Sequence, residues 1–377
     1  MGKKIVAAGN VCVDITPQIT GRKVSNLNEI MVPGGLVLTE GVTVSAGGST
    51  SNTGLAMKIL GGDVAVMCKI GKDDFGEILR RLFAKYGCEN DMIVSDGENS
   101  SYSIILAVPG IDRIFIHNAG ANDSLCLADL NMEKIREAEL FHFGYPTSMK
   151  AMYENNGAEL IKMFRTVSEM GLLTSLDLCV MQEKSEAAMM DWPEILKAVL
   201  PYVDFFLPSV EELLQTLDRD KYKEVLERSG GRDVTDVISI EHDVRPLAER
   251  CLAMGAKFVL VKCGAPGLYY RTQGDRIAVK LSEKLGRDCS DWVDQEGFAP
   301  SYVPEKVRSA TGAGDTTIGA FLMAVMDGYP MEKCLQYAVA TGASCVETYD
   351  TLSGLKSFEE LQARMDSGWE RSSRTQL

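Results

Sequence analysis

Short apolar runs rich in β-branched residues alternate along this chain with longer stretches of helical spacing, and that alternation restricts the fold more than any other feature. Candidate strands lie at 5–8, 64–70, 139–143, 173–178, 203–207 and 257–261. Helical patterns run over 50–60, 75–86, 151–170, 210–217, 244–254, 316–327 and 331–347. A strand, a helix and a second strand in succession join parallel neighbours, so the pattern predicts an α/β fold: a doubly wound, mostly parallel sheet flanked by helices. Ligands of such sheets bind beyond the carboxyl ends of the strands.

Two stretches break the alternation. Residues 24–45 and 100–117 carry β-type sequence with no helix between, and 102–108 and 114–117 flank Pro109-Gly110-Ile111-Asp112, a hairpin-turn composition. They predict a small β-sheet lid, drawn from about 12–45 and 100–120, within a single domain spanning 1–377. Residues 285–307, holding Trp292 and Pro300, read as a surface excursion.

The segment Ser309-Ala310-Thr311-Gly312-Ala313-Gly314-Asp315-Thr316 reads as a tight turn feeding a helix. The first N–H groups of a helix have no intrahelical partner, and the macrodipole adds positive charge there. Glycines let a phosphate approach such amides closely. A carboxylate would repel that phosphate, unless Asp315 takes the proton of a hydroxyl that attacks phosphorus. Ordinary helix capping is the competing account of Asp315. Asp14, after Gly9 at the end of the first candidate strand, can accept hydrogen bonds from two neighbouring sugar hydroxyls, or can serve a turn. Gly47-Gly48 ahead of the 50–60 helix permits close backbone approach, and Asn52 offers both donor and acceptor. Capping by Ser49 or Thr50 explains that segment equally.

Composition removes several classes. With 39 basic and 53 acidic residues among 377, the net charge of −14 disfavours nucleic acid and anionic membranes as partners. No apolar run approaches membrane-spanning length, and the apolar run after Lys4 is too short for a signal peptide. Ten cysteines without a CxxC pair read as reduced small hydrophobes of a cytoplasmic protein, and three scattered histidines disfavour zinc. There is no G-x-x-x-x-G-K-[ST] loop and no G-x-G-x-x-G after the first strand, which disfavours P-loop kinases and dinucleotide dehydrogenases.

In order and spacing these segments resemble the ribokinase-like (PfkB-type) carbohydrate kinase family over essentially the whole chain. The family's D-T-x-G-A-G-D matches Ser309 to Asp315. Its Gly-Gly, Asn and G-x-D-x-x-G match Gly47-Gly48, Asn52 and Gly71 to Gly76. Its P-N-x-x-E matches Pro208-Ser209-Val210-Glu211-Glu212, and its G-x-x-G matches Gly264-Ala265-Pro266-Gly267. The resemblance implies an ATP-dependent kinase of an unphosphorylated sugar. Asp315 is then the base, and the amides of Gly312, Ala313 and Gly314 form an anion hole. Asp14, Gly47, Gly48 and Asn52 hold the sugar. Lys262, Gly264, Gly267 and Thr311 line ATP, and Glu212 orients Mg²⁺ through water.

Four departures stand out. Ser309 replaces the usual acid, which puts the family's monovalent-cation site in doubt. Ser209 replaces Asn, Asp177-Leu178-Cys179-Val180-Met181 stands for D-x-N-x-R, and Lys262 replaces Thr or Ser. A nucleoside kinase on the same fold and a catalytically idle sugar-binding regulator are the alternatives. The Gly-Gly loop lacks the lysine that sugar-phosphate kinases commonly carry, although Lys69, Lys72 and Arg113 could substitute for it. A lid with an exposed edge predicts pairing with a second copy as a homodimer.

Overall fold

The computed structural model describes residues 3–19, 21, 23–111 and 113–373. Asp112 of the expected hairpin turn lies outside them, as do Thr20 and Arg22 of the expected lid. In chain order the strands are β1 (Lys4–Gly9), β2 (Cys12–Pro17), β3 (Val42–Gly47), β4 (Asp63–Met67), β5 (Lys69–Gly71), β6 (Ile93–Ser95), β7 (Tyr102–Leu106) and β8 (Ile114–Asn118). They continue as β9 (Leu140–Gly144), β10 (Leu173–Asp177), β11 (Phe205–Phe206), β12 (Phe258–Lys262), β13 (Gly267–Thr272) and β14 (Glu296–Pro300).

Eight of them form the main sheet in the order β14-β13-β12-β11-β10-β9-β1-β4. The pairs from β4 to β12 are parallel, and β13 and β14 add antiparallel to one edge. A mostly parallel sheet between helices is the fold class that the alternation predicts. Both faces are covered, because successive strand residues point to opposite sides. On β11, Phe205 joins one core with Phe258, Trp292 and Phe321, while Phe206 joins the other with Phe141, Phe143 and Phe164.

A second sheet stands apart in the order β3-β2-β7-β8, with β2 parallel to β7 and antiparallel to β3. Of residues 24–45, only those from Val42 onward join it. The stretch before them holds a single 3-10 turn, Leu27–Glu29, closed by a capping box between Asn26 and Glu29.

Four further expectations need correction. The stretch 285–307 is no surface excursion: Trp292 is fully buried in the aromatic core, and β14 is an edge strand of the main sheet. Residues 64–70 divide at Cys68, and the second piece, β5, pairs with β6 in a sheet of two strands. The 50–60 helix begins as a wide π turn, Thr50–Gly54, and becomes α-helical only over Leu55–Ile59. The long helix Lys150–Glu169 is interrupted at Glu154, Asn155, Asn156 and Gly157, three of which hold positive φ. Asn and Gly are the residues that tolerate that conformation, so the interruption is written locally.

Candidate active site

Four of the parallel strands end on residues that meet at one place: Gly9, Gly144, Asp177 and Lys262 close β1, β9, β10 and β12. Facing them is the N-terminus of the helix Ala313–Met326, whose residues from Asp315 onward are all buried. Gly312 is its N-cap, left-handed at φ 74°. A Cβ there would stand 2.2 Å from the side chain of Thr351, so glycine is required on two grounds. Gly314 has helical backbone, and a Cβ on it would meet only the flexible stem of Lys262, at 3.4 Å.

Asp315 projects from the first turn of this helix. Its carboxylate accepts the phenol of Tyr145 on both oxygens, each at 2.8 Å, and the amide of Asn52 on Oδ2 at 3.0 Å. Burial pushes its pKa above the usual carboxylate range, opposed by the Lys262 ammonium and by these bonds. One N–H of the Asn52 amide is therefore engaged with Asp315 in this state. It is placed there because the turn that carries it is pinned to two strand ends. Ser49 donates to the carbonyl of Gly144 at 3.0 Å, and Thr50 donates to that of Asn10 at 2.8 Å.

Below Asp315 the Lys262 ammonium lies 2.6 Å from Asp177 and 3.9 Å from Glu212. Burial disfavours the ammonium, but Asp177 and Glu212 outweigh it and hold its pKa up. Burial likewise raises Asp177 and Glu212, with Lys262 opposing in both. Lys262, a departure from the family pattern, thus pairs with Asp177, the aspartate that the pattern keeps. Glu212 has a local duty as well. Its Oε2 accepts the Ser209 N–H at 2.6 Å while Ser209 Oγ caps Glu212 N at 3.2 Å, a reciprocal capping box. The S-x-x-E spacing that announces such a box is visible in the sequence.

Asp14 stands on β2 of the small sheet, over the backbone of Gly47, where a Cβ would come within 2.2 Å of its carboxylate. Gly48 has φ +86°, and a Cβ there would meet the Asn10 carbonyl at 2.6 Å. Burial raises the Asp14 pKa to about 6, against hydrogen bonds from Cys12 and Ser103. Gly264 and Gly267 bracket the turn between β12 and β13. Both have positive φ, and their Cβ positions face Thr235 and the Ala299 carbonyl respectively. Thr311 is reached from the small sheet by Arg113, which donates to its hydroxyl. Lys69 and Lys72 are engaged elsewhere, with Asp129 at 3.3 Å and with Asp96 at 3.0 Å.

Tyr145 and the Arg113–Thr311 contact escaped the sequence reading. The run Phe143-Gly144-Tyr145-Pro146, an aromatic between a glycine and a proline at a strand end, is the signal that marks the first.

The pfkB family carbohydrate kinase model matches residues 7–357. Fructokinase-1 of Oryza sativa subsp. japonica is 24% identical over 374 residues, covering 96% of this chain and 98% of its own length. Among solved structures, Arabidopsis thaliana ribokinase complexed with ribose and ATP superposes with a TM-score of 0.69 at 18% identity, covering 96% of this chain and 98% of that one. A Xylella fastidiosa fructokinase with bound ATP gives 0.68 at 18% identity, covering 97% and 99%. With a family match over nearly its whole length and the same fold as these kinases, this chain belongs to the pfkB family of carbohydrate kinases.

Proposed function

We propose that this protein transfers the γ-phosphoryl of ATP to a hydroxyl of an unphosphorylated sugar, with Asp315 as the general base. The observation that carries this reading is the placement of one buried carboxylate beside the amides of Gly312, Ala313 and Gly314 at a helix N-terminus, where the Ala313 N–H makes a long bond of 3.4 Å to the Ala310 carbonyl. Those amides and the helix dipole favour the negative charge of the transferring group, while Asp315 receives the proton that the hydroxyl gives up. Asp14, with the glycine pair Gly47-Gly48 beneath it, anchors the sugar through its other hydroxyls. The relatives named as fructokinases and the neighbour complexed with ribose make those two sugars the first to try.

Asp177, Glu212 and Asp315 gather three carboxylates around one ammonium, and the buried Oδ2 of Asp177 has no hydrogen-bond partner. That deficit of positive charge and that hard-oxygen donor set fit Mg²⁺ arriving on the nucleotide phosphates, with Glu212 and Asp177 facing its water shell. When bound, the ion would neutralise phosphate charge.

The test is turnover with ATP over a panel of fructose, ribose, other sugars and nucleosides, run on the native chain and on Asp315→Asn. A sugar should be phosphorylated, and the variant should lose about 10²–10⁴-fold in kcat. Nucleosides as the preferred acceptors would overturn the substrate assignment, and a variant with most of its kcat would remove Asp315 from the chemistry.

We also infer that two copies pair through the small sheet. Its outer strands β3 and β8 carry Val42, Val44, Phe115 and Ile116 at 40–56% exposure. A second copy would cover them.

A further inference from the structure

Tyr145 follows β9 directly and holds the left-handed conformation at φ 71°, ψ 40°. Bulky residues rarely occupy that region, and they persist there where the surroundings impose it. Here Tyr145 N–H donates to the Asp177 carbonyl at 3.2 Å. Its own carbonyl accepts the N–H and the hydroxyl of Ser148 at 3.0 and 2.9 Å. In that conformation the phenol reaches both oxygens of Asp315.

We propose that Tyr145 is a positioning residue for phosphoryl transfer, which fixes the Asp315 carboxylate so that Oδ1 receives the proton of the acceptor hydroxyl. The proposal rests on the reading of Asp315 as the base. A carboxylate oxygen offers two lone pairs. Oδ2 accepts from both Asn52 and Tyr145, whereas Oδ1 accepts from Tyr145, so the spare capacity lies on Oδ1. In the transfer, the acceptor O–H bond breaks and its proton goes to Oδ1. The acceptor oxygen bonds to the γ-phosphorus, and the bond from that phosphorus to the β-phosphate oxygen breaks to release ADP. The phenol keeps its own proton throughout: burial, and then the Asp315 charge, raise its pKa well above the ordinary value.

The charged groups facing Asp315 are Lys262 from β12, with Asp177 at the end of β10 and Glu212 of the helix Val210–Leu217 behind it. Tyr145→Phe changes none of them and keeps the ring, so it isolates the hydroxyl. Without that donor the ionised carboxylate is less favoured, and the acid limb of kcat/KM should move up by about one pH unit. At pH values above the limb, kcat should fall by about tenfold while KM for ATP stays within about twofold, since the base is misplaced and the nucleotide untouched. Tyr145→Gly removes the ring and relieves the left-handed backbone. It should lose at least as much kcat as Tyr145→Phe. An acid limb and a kcat both unmoved in Tyr145→Phe would overturn the proposal, and a purely structural tyrosine would lower the melting temperature without moving the limb. If Asp315→Asn retains turnover, it is the assignment of the base that fails. If Asp315→Asn is inactive and Tyr145→Phe is unaltered, the base stands and the role of Tyr145 falls.

Discussion

Asp14 and Lys262 show at the residue scale how a site can hold charge against the preference of a buried environment. Lys262 does so with partners, Asp177 at 2.6 Å and Glu212 at 3.9 Å. Asp14 has only weak ones, the Cys12 thiol at 3.3 Å and the Ser103 hydroxyl, so burial lifts its pKa to about 6 from 3.8. Between these two values the native state holds a proton that the unfolded chain has released. Stability therefore falls as pH rises from about 4 to about 6, and above both values the full cost is present. That cost is on the order of 2–3 kcal/mol. Asp14→Asn should accordingly raise the melting temperature at pH 8, with the gain vanishing near pH 4, in melts across that range. The same variant should raise KM for the sugar, because Asn presents one uncharged acceptor oxygen and an NH₂ donor where Asp presents two charged acceptor oxygens. A variant equally stable at pH 8 and unchanged in KM would make Asp14 a spectator.

The turn and helix from Thr311 to Met326 divide their glycines between two duties. Gly312 carries the left-handed conformation and lies against Thr351, so Gly312→Ala should destabilise by about 1–3 kcal/mol, and more if Thr351 cannot yield. Gly314 carries neither constraint. Gly314→Ala should leave stability unchanged, or raise it by up to about 1 kcal/mol through helix propensity. If the phosphoryl approaches these amides, Gly314→Ala should still slow turnover while it melts normally. Parallel melts and kcat measurements on the two variants decide this. A fully active Gly314→Ala would move the phosphate elsewhere. The helix Val210–Leu217 shows a similar division, since Glu212 both closes a capping box and faces Lys262. A truncation there would confuse helix stability with charge.

Across the whole molecule, the small sheet meets the rest of the chain where Arg113, just before β8, touches Thr311. The outer strands that carry Val42, Val44, Phe115 and Ile116 face away into solvent. If a second copy covers them, the native chain should sediment as a dimer, and the double variant Val44→Asp, Phe115→Asp should sediment as a monomer with its melting transition retained. A native monomer at micromolar concentration would dismiss the pairing.

Much of the architecture was legible because it is written in local patterns. Strand and helix periods gave the parallel sheet, and the apolar run after Asp315 gave the buried helix behind it. The order of the glycine-containing turns pointed to the family. What local pattern could not supply was the assignment of partners. The antiparallel edge strands β13 and β14 break the parallel rule: β13 turns straight back from β12, and the helix Arg276–Leu285 leads to β14 without making a parallel pair, while Trp292 reads like loop until it is seen against Phe205, Phe258 and Phe321. Nothing near Asn52 in the sequence says that its amide faces Asp315, 263 residues away, rather than a ligand. The same holds for Tyr145, 170 residues from the carboxylate it grips. Hydrophobic period and turn chemistry act between neighbours along the chain, so the sequence alone determined the order of the parallel strands and of the longer helices between them. Charge and hydrogen bonding in a buried site act between whatever groups the fold brings within about 3 Å, and only the tertiary structure decided which groups those are.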